Sequence, residues 1–151
     1  MSRSGYSDDF GSENPWEMIC WRGAVKSAMR GKRGQAFLRE LLAALDAMPE
    51  KRLLAGKINT DEGCCAIGAV TKARGIDTSD LDSLDPYDDY GESAEALARR
   101  VGIADAMAKE IVFMNDEGAW DSETPEGRWV RMRAWTEKQI KPIAALTEEA
   151  K

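Results

Sequence analysis

The sequence predicts a mainly α-helical protein, a compact bundle of five or six helices, and three observations support this. Apolar residues repeat at helical spacing in several segments, capping residues precede the first and last of them, and 43% of the 151 residues are hydrophobic. A chain of this length is expected to form one core. We therefore expect a single helical domain at 14–141, with a flexible arm at 1–13 and a frayed tail at 142–151.

The first helix is expected to begin at Asn14, which suits the N-cap, with Pro15 at the first helical position. Glu17, three residues after the cap, completes a capping-box pattern. The helix has one apolar and one basic face. The apolar face carries Trp16, Ile19, Cys20, Ala24 and Ala28, and the basic face carries Arg22, Lys26 and Arg30.

The second helix has the clearest pattern in the sequence, because six large apolar residues repeat at helical spacing until Pro49 ends it. They are Phe37, Leu38, Leu41, Leu42, Leu45 and Met48. Residues 52–66 fit either a small β-hairpin or an extended connection. The small apolar run at 64–70 predicts a buried helix in which Gly68 lets a neighbour approach closely, with Gly75 as its C-cap.

The second half is predicted to contain a loop or single turns at 76–92, short helices at 93–101 and 104–115, and a last helix from Thr124 to about residue 140. The two short helices, separated by Gly102, fit the spacing of a helix-turn-helix motif. The second of them is nearly balanced in charge or acidic, whereas base recognition needs Lys, Arg, Asn or Gln. We therefore favour a packing hairpin that does not bind DNA.

The composition argues against the common kinds of catalytic site. The chain has no histidine, which excludes Ser-His and Cys-His nucleophile pairs and His-rich zinc sites. Neither a P-loop nor a GxGxxG motif is present. The least favoured hypothesis for the function is an enzyme that uses a pair of carboxylates or the adjacent Cys64 and Cys65. We assign no catalytic residue, no metal site and no cofactor.

The three cysteines, Cys20, Cys64 and Cys65, are expected to be reduced thiols in the core, since their number is odd and no CxxC spacing occurs. No apolar run approaches the roughly 20 residues that span a bilayer, so no membrane role is expected. The first residues lack the apolar stretch of a secretory signal. Together these features predict a cytoplasmic protein.

Charge is unevenly distributed along the chain. Residues 1–75 carry 12 Lys and Arg against 9 Asp and Glu, whereas residues 76–151 carry 9 against 18, so the halves are about +3 and −9. The acidic half contains a candidate partner-binding set, the acidic set: Asp80, Asp82, Asp85, Asp88 and Asp89. Its spacing is not that of an EF-hand, and it fits either solvated turns or carboxylates that imitate a row of phosphates.

Two basic segments are candidates for contact with phosphates or with a partner. The basic set consists of Arg22, Lys26, Arg30, Lys32 and Arg33, five cations within twelve residues. The aromatic set, Arg128, Trp129, Arg131 and Trp135, interleaves cations with tryptophans, as binding hot spots and stacking platforms do. A solvated face paired with carboxylates is the alternative for the first set, and core tryptophans are the alternative for the second.

Four sequence segments carry a resemblance to a known family: Trp21–Val25 (WRGAV), Arg30–Leu42 (RGKRGQAFLRELL), Cys65–Val70 (CAIGAV) and Glu110–Asp116 (EIVFMND). Together they resemble a family of small uncharacterised proteins encoded by phages and prophages of proteobacteria, over roughly residues 16–140. The resemblance implies a gene context and carries no activity or site residue.

That context implies an accessory factor that binds a host protein. The leading hypothesis is a phage-encoded protein in the cytoplasm of a bacterial host cell, which inhibits a nucleic-acid-handling defence system as anti-CRISPR proteins do. The alternative is a nucleic-acid-binding regulatory protein that uses the basic helix face. The sequence leaves open the oligomeric state and whether the acidic and basic regions pair with each other.

Overall fold

The computed structural model describes residues 3–6, 14–85, 89–119 and 122–142, and this part of the chain is mainly helical, as predicted. Its helices are α1 (Pro15–Arg30), α2 (Lys32–Ala47), α3 (Ala66–Arg74), α4 (Ser79–Asp82), α5 (Glu92–Val101), α6 (Asp105–Glu117) and α7 (Pro125–Gln139). Strands β1 (Asn59–Thr60) and β2 (Gly63–Cys64) form a small antiparallel hairpin. No helix within the described ranges is long and apolar enough to cross a membrane.

Three predicted helix ends are confirmed by their hydrogen bonds and backbone angles. The Asn14 side chain accepts from the Glu17 amide at 3.4 Å, and the Thr124 hydroxyl accepts from the Gly127 amide at 3.0 Å. Gly75 ends α3 in the left-handed conformation, with φ of 72°. These local signals therefore set the ends of α1, α3 and α7.

Helix α2 lies at the centre of the core. It packs against α1, α3 and α7, and α6 closes the core by packing against α1, α3 and α5. Four of the six apolar positions predicted for α2 are buried, and Leu42 and Met48 are half-buried. The largest fully buried apolar side chains are Leu38, Leu41, Leu45, Leu53, Ile58, Ile67, Leu97, Met107, Ile111 and Met132.

The hairpin at 59–64 shows that 52–66 is not simply an extended connection, and Gly68 explains how the hairpin packs. A Cβ atom at Gly68 would lie 1.8 Å from the Ile58 carbonyl oxygen, so only glycine allows this approach of the hairpin to α3. The same carbonyl accepts from the Cys65 amide at 3.1 Å. The close neighbour predicted at Gly68 is thus the residue that precedes β1.

Helix α1 does not bury the face that its sequence pattern indicated. Val25 and Met29 are its buried residues, whereas Trp16, Ile19 and Cys20 of the predicted apolar face are exposed. Helix α2 follows α1 with Gly31 alone between them, α1 packs against α2 and α6, and it is the Val25 side of α1 that these contacts bury. Cys20 is accordingly an exposed thiol and not a core residue.

Residues 3–6 of the predicted flexible arm are docked on α6. The Arg3 guanidinium donates to both Asp116 carboxylate oxygens at 2.7 and 2.9 Å, and both side chains are largely buried. The Tyr6 ring packs edge-on against Trp21 with centroids 5.7 Å apart. This buried ion pair, with its two hydrogen bonds, holds the stretch against α6 because each charge meets an opposite charge away from water. Of the predicted tail, only Pro142 lies within the described residues.

The contacts of two helical glycines lead to opposite predictions. Gly68→Ala should destabilise the fold by roughly 1–3 kcal/mol, because the methyl group collides with a backbone carbonyl. Gly23→Ala is the matched control: no described atom lies within 4 Å of its added Cβ, and alanine favours a helix over glycine by roughly 0.5–1 kcal/mol. Urea denaturation at low protein concentration would measure the free energy of unfolding of both variants. Equal changes in the two variants would contradict the predicted close approach at Gly68.

Candidate anion-binding groove

A buried glutamine brings the ends of α1 and α7 together. The Gln35 amide nitrogen donates to the Met29 carbonyl at 2.7 Å and to the Gln139 carbonyl at 2.9 Å. Its amide oxygen accepts from the Lys141 backbone at 2.8 Å. Gln35 is only 1% exposed, so these bonds form away from water. The side chain therefore fixes the spacing between two helix ends that are more than 100 residues apart in sequence.

The two helix ends enclose a basic groove of about 580 Å³. Its lining comprises Arg22, Val25, Lys26, Met29 and Arg30 from α1, and Lys138, Gln139 and Lys141 from the end of α7. Five of these eight residues are cations, and none of the eight is acidic. Lys26, Arg30 and Lys138 are exposed and form no ion pair with any described residue. The groove is therefore a local concentration of positive charge on an acidic chain.

One edge of the groove is held by a buried carboxylate. Glu110 on α6 accepts from Arg22 and from the Tyr6 hydroxyl, both at 2.8 Å, and the Trp21 indole donates to that hydroxyl at 2.9 Å. Burial and the charge of Glu110 raise the pKa of Tyr6, so the phenol stays protonated. The Arg22 side chain remains 57% exposed at the groove side. This pair positions one end of the guanidinium and leaves much of it accessible.

The structure brings together only part of the basic set. Arg22, Lys26 and Arg30 share the groove, whereas Lys32 and Arg33 lie beyond Gly31, beside a separate small cavity with Ile103 and Met107. Lys138 and Lys141 complete the groove and were not predicted from the sequence. Their only sequence signal is the concentration of Lys at the end of the last helix, which by itself is typical of helix C-termini.

Most of the acidic set has a role inside the fold. The Asp80 carboxylate accepts from the Arg100 guanidinium at 2.9 and 2.5 Å, and this pair holds the pKa of Asp80 below its usual range. Asp82 accepts from the backbone amides of Ile58 and Asn59 at 2.7 and 3.0 Å. Asp89 is buried at the start of α5, where it accepts from the amides of Gly91 and Ser93 and from the Ser93 hydroxyl. Asp85 is exposed, and Asp88 lies outside the described residues.

The aromatic set holds α7 against its neighbours. Arg128 and Arg131 donate to the carbonyls of Asn115 and Met114, at 2.9 and 2.7 Å, near the end of α6. The Trp129 indole donates to the Leu45 carbonyl at 3.1 Å, and Trp135 is half-buried against the core. Cations at a helix C-terminus satisfy its last carbonyls. These four side chains therefore support the fold and offer little free surface.

Glu123 links the two arginines of the aromatic set. Its carboxylate accepts from Arg131 at 2.7 and 2.9 Å, and the Arg128 guanidinium lies 3.4 Å away. The hydrogen bond to Arg131, followed by the charges of both arginines, lowers the pKa of Glu123. No local sequence pattern indicates this bridge, because Glu123 lies in the linker before α7.

The adjacent cysteines, which are the candidates for thiol chemistry, lie in the core. Cys64 and Cys65 are buried, and burial raises the pKa of Cys64 to about 11, the opposite of what a nucleophilic thiol requires. The Cys65 sulfur accepts from the Gly68 amide at 3.4 Å and so caps α3. Within the described ranges no three Cys, Asp or Glu side chains are placed to hold a metal ion.

No protein-family model, curated protein or solved structure matches this chain.

Thiol labelling at about pH 8 separates the cysteines. We expect Cys20 to react quickly with a maleimide in the dilute native chain, because it is exposed, and Cys64 and Cys65 to react only after unfolding, because both are buried. Mass spectrometry would count the labels, and Cys20→Ser should abolish the fast label. Fast native labelling of Cys64 would contradict its raised pKa and revive the enzymatic alternative.

Glu123 should make stability depend on pH. A carboxyl whose pKa is lowered by folding stabilises the protein above its unfolded pKa of about 4.3, and this contribution disappears as pH falls through the folded value. At pH 7 we expect Glu123→Gln to cost roughly 1–3 kcal/mol of unfolding free energy, and near about pH 3 the difference from wild type should shrink. Exposed Glu62→Gln is the control, and a pH-independent loss would contradict the prediction.

Proposed function

We propose that this chain acts by binding, and that the groove between α1 and α7 takes the phosphate backbone of a nucleic-acid strand. The observation that carries the proposal is the lining of the groove, which combines five cations with no carboxylate. Nucleic-acid affinity without base recognition rests on such clusters of Lys and Arg. The proposal corresponds to a regulatory or accessory protein that acts on nucleic acid.

The geometry of α1 supports a linear polyanion. Arg22, Lys26 and Arg30 are four residues apart, so their Cα atoms follow one another along the helix in steps of about 6 Å. Lys138 and Lys141 face them across the groove. A strand lying between the two rows could contact several cations at once, and arginine adds paired hydrogen bonds to phosphate oxygens.

The net charge of −6 does not oppose this proposal. At physiological ionic strength, exposed charges are screened over about 8 Å, so a ligand in the groove is affected mainly by the nearby cations. Several carboxylates of the acidic half are also neutralised internally, as Asp80 is by Arg100 and Asp116 is by Arg3. The local positive field therefore persists within an acidic protein.

Binding of a host protein by a phage-encoded accessory factor is the second candidate, and the same groove supports it, since an acidic protein surface also fits five cations. The version in which the acidic set imitates phosphates has less support. Asp82 and Asp89 are occupied by backbone amides, and Asp80 by Arg100. Inhibition of a defence complex would then depend on the groove and not on that set.

The test is the salt dependence of binding to a labelled oligonucleotide, measured by fluorescence anisotropy. If the three exposed cations Lys26, Arg30 and Lys138 contact phosphates of a single strand, log K should fall against log salt with a slope of about −2 between about 50 and 200 mM. Lys26→Gln with Arg30→Gln should weaken binding and reduce the slope by about 1.4. Exposed Lys57→Gln with Arg99→Gln removes the same charge elsewhere and should change little.

Two outcomes would contradict the nucleic-acid proposal. One is an equal loss of affinity in both double variants, because net charge alone would then explain binding. The other is tighter binding to an acidic peptide than to an oligonucleotide of equal charge, which would favour the host-protein candidate. A third double variant, Lys32→Gln with Arg33→Gln, would show whether the rest of the basic set contributes.

A further inference from the structure

Helix α1 has a second apolar side that the core does not use. Val25 and Met29 are buried, and the side opposite them carries residues spaced i, i+3, i+4, i+7, i+8 and i+11. This outer stripe consists of Trp16, Ile19, Cys20, Gly23, Ala24 and Ser27. All six are exposed, and none is charged. Trp16 and Ile19 expose 68% and 60% of their surface.

A continuous apolar stripe of this kind is typical of an interaction surface, whereas single exposed apolar residues are common everywhere. The small residues add a second feature. No described atom lies within 4 Å of a Cβ built at Gly23, so another helix can approach the α1 backbone closely there. The outer stripe is therefore suited to packing against a helix.

We propose that the outer stripe is the interface of a symmetric dimer, in which α1 of a second copy packs antiparallel against it. The stripe is large at its N-terminal end, at Trp16 and Ile19, and small at its C-terminal half, at Gly23, Ala24 and Ser27. An antiparallel pair places the large end of each copy on the small end of the other. A parallel pair would place large on large and leave a gap at the small end.

The register follows from this size pattern. A twofold axis between residues 21 and 22 places Trp16 opposite Ser27 of the second copy and Cys20 opposite Gly23. Each of these pairs then occurs twice. Because the interface is the same surface on both copies, the sequence of α1 alone supplies both sides of the fit.

The direction of α1 agrees with the antiparallel arrangement. In the proposed register the N-terminus of each α1 lies beside the C-terminal half of the other. The helix dipoles favour the same choice.

The dimer extends the groove without depending on it. Lys26 and Arg30 follow one edge of the outer stripe, and a twofold axis across the helix carries this edge to the same side of the pair. Both grooves would therefore open on one face, with the two Arg30 residues roughly 25 Å apart along the helix axis. One nucleic-acid strand or duplex could then contact both copies.

The experiment is sedimentation equilibrium of the full chain over a range of concentrations. One helix pair buries less than the roughly 800 Å² per partner of a standard interface, so we expect a dissociation constant in the micromolar range. Trp16→Ser should weaken the dimer by roughly 30-fold, because it removes the largest apolar side chain of the outer stripe, which occurs twice in the interface. Adding Ser27→Trp to Trp16→Ser reverses the size pattern and should restore the dimer, which only an antiparallel register predicts. Glu62→Gln, an exposed change elsewhere, is the control.

Crosslinking provides an independent readout. In the proposed register the two Cys20 residues are offset by about 4.5 Å along the axis of helices packed about 8–10 Å apart, so a short bis-maleimide should join them. Cys20→Ser and Trp16→Ser should each abolish the crosslinked species. The proposal would be overturned if the chain stayed monomeric at high concentration, or if Trp16→Ser did not weaken the dimer. It would also be overturned if the double variant did not restore dimerisation, or if the outer stripe bound only a different protein.

Discussion

The hydrogen bonds of one buried amide hold together the part of the molecule on which the groove depends. Gln35 sits on α2 in the core and bonds to the ends of both α1 and α7. Leaving a buried amide without hydrogen-bond partners costs free energy, so the fold favours the state in which all of these bonds are made. That state fixes both helix ends at once. The lysines of the α7 terminus reach the basic side of α1 for this reason.

The fold treats its positive and negative charges differently. Carboxylates of the acidic half are used inside the structure, where they accept from backbone amides, as Asp82 does, or from guanidinium groups, as Asp116 does from Arg3. Lys26 and Arg30 on α1 and Lys138 on α7 form no ion pair with any residue that the structure describes. An acidic chain can therefore present a basic surface, because what a ligand meets depends on which charges remain unpaired and not on their sum.

Local features of the fold could be predicted from the sequence, and long-range ones could not. The apolar repeat of α2, the caps at Asn14 and Thr124 and the close approach at Gly68 depend on a few neighbouring residues. The pairs Arg3–Asp116 and Arg133–Asp46 join positions 113 and 87 residues apart, so no local pattern indicates them. The α7 side of the groove was missed for the same reason, since no local pattern relates Lys138 to Arg30.

Helix α1 shows why its pattern was misassigned. It has three sides with different environments: Val25 faces the core, Lys26 faces the groove, and Trp16 begins the outer stripe. Apolar residues on two opposite sides blur the single stripe that identifies a buried face, and the larger ones lie on the outer side. If the exposed apolar side of α1 serves self-association, as we propose, a ligand that spans both grooves strengthens the dimer as much as the dimer strengthens its binding, because the two equilibria are linked.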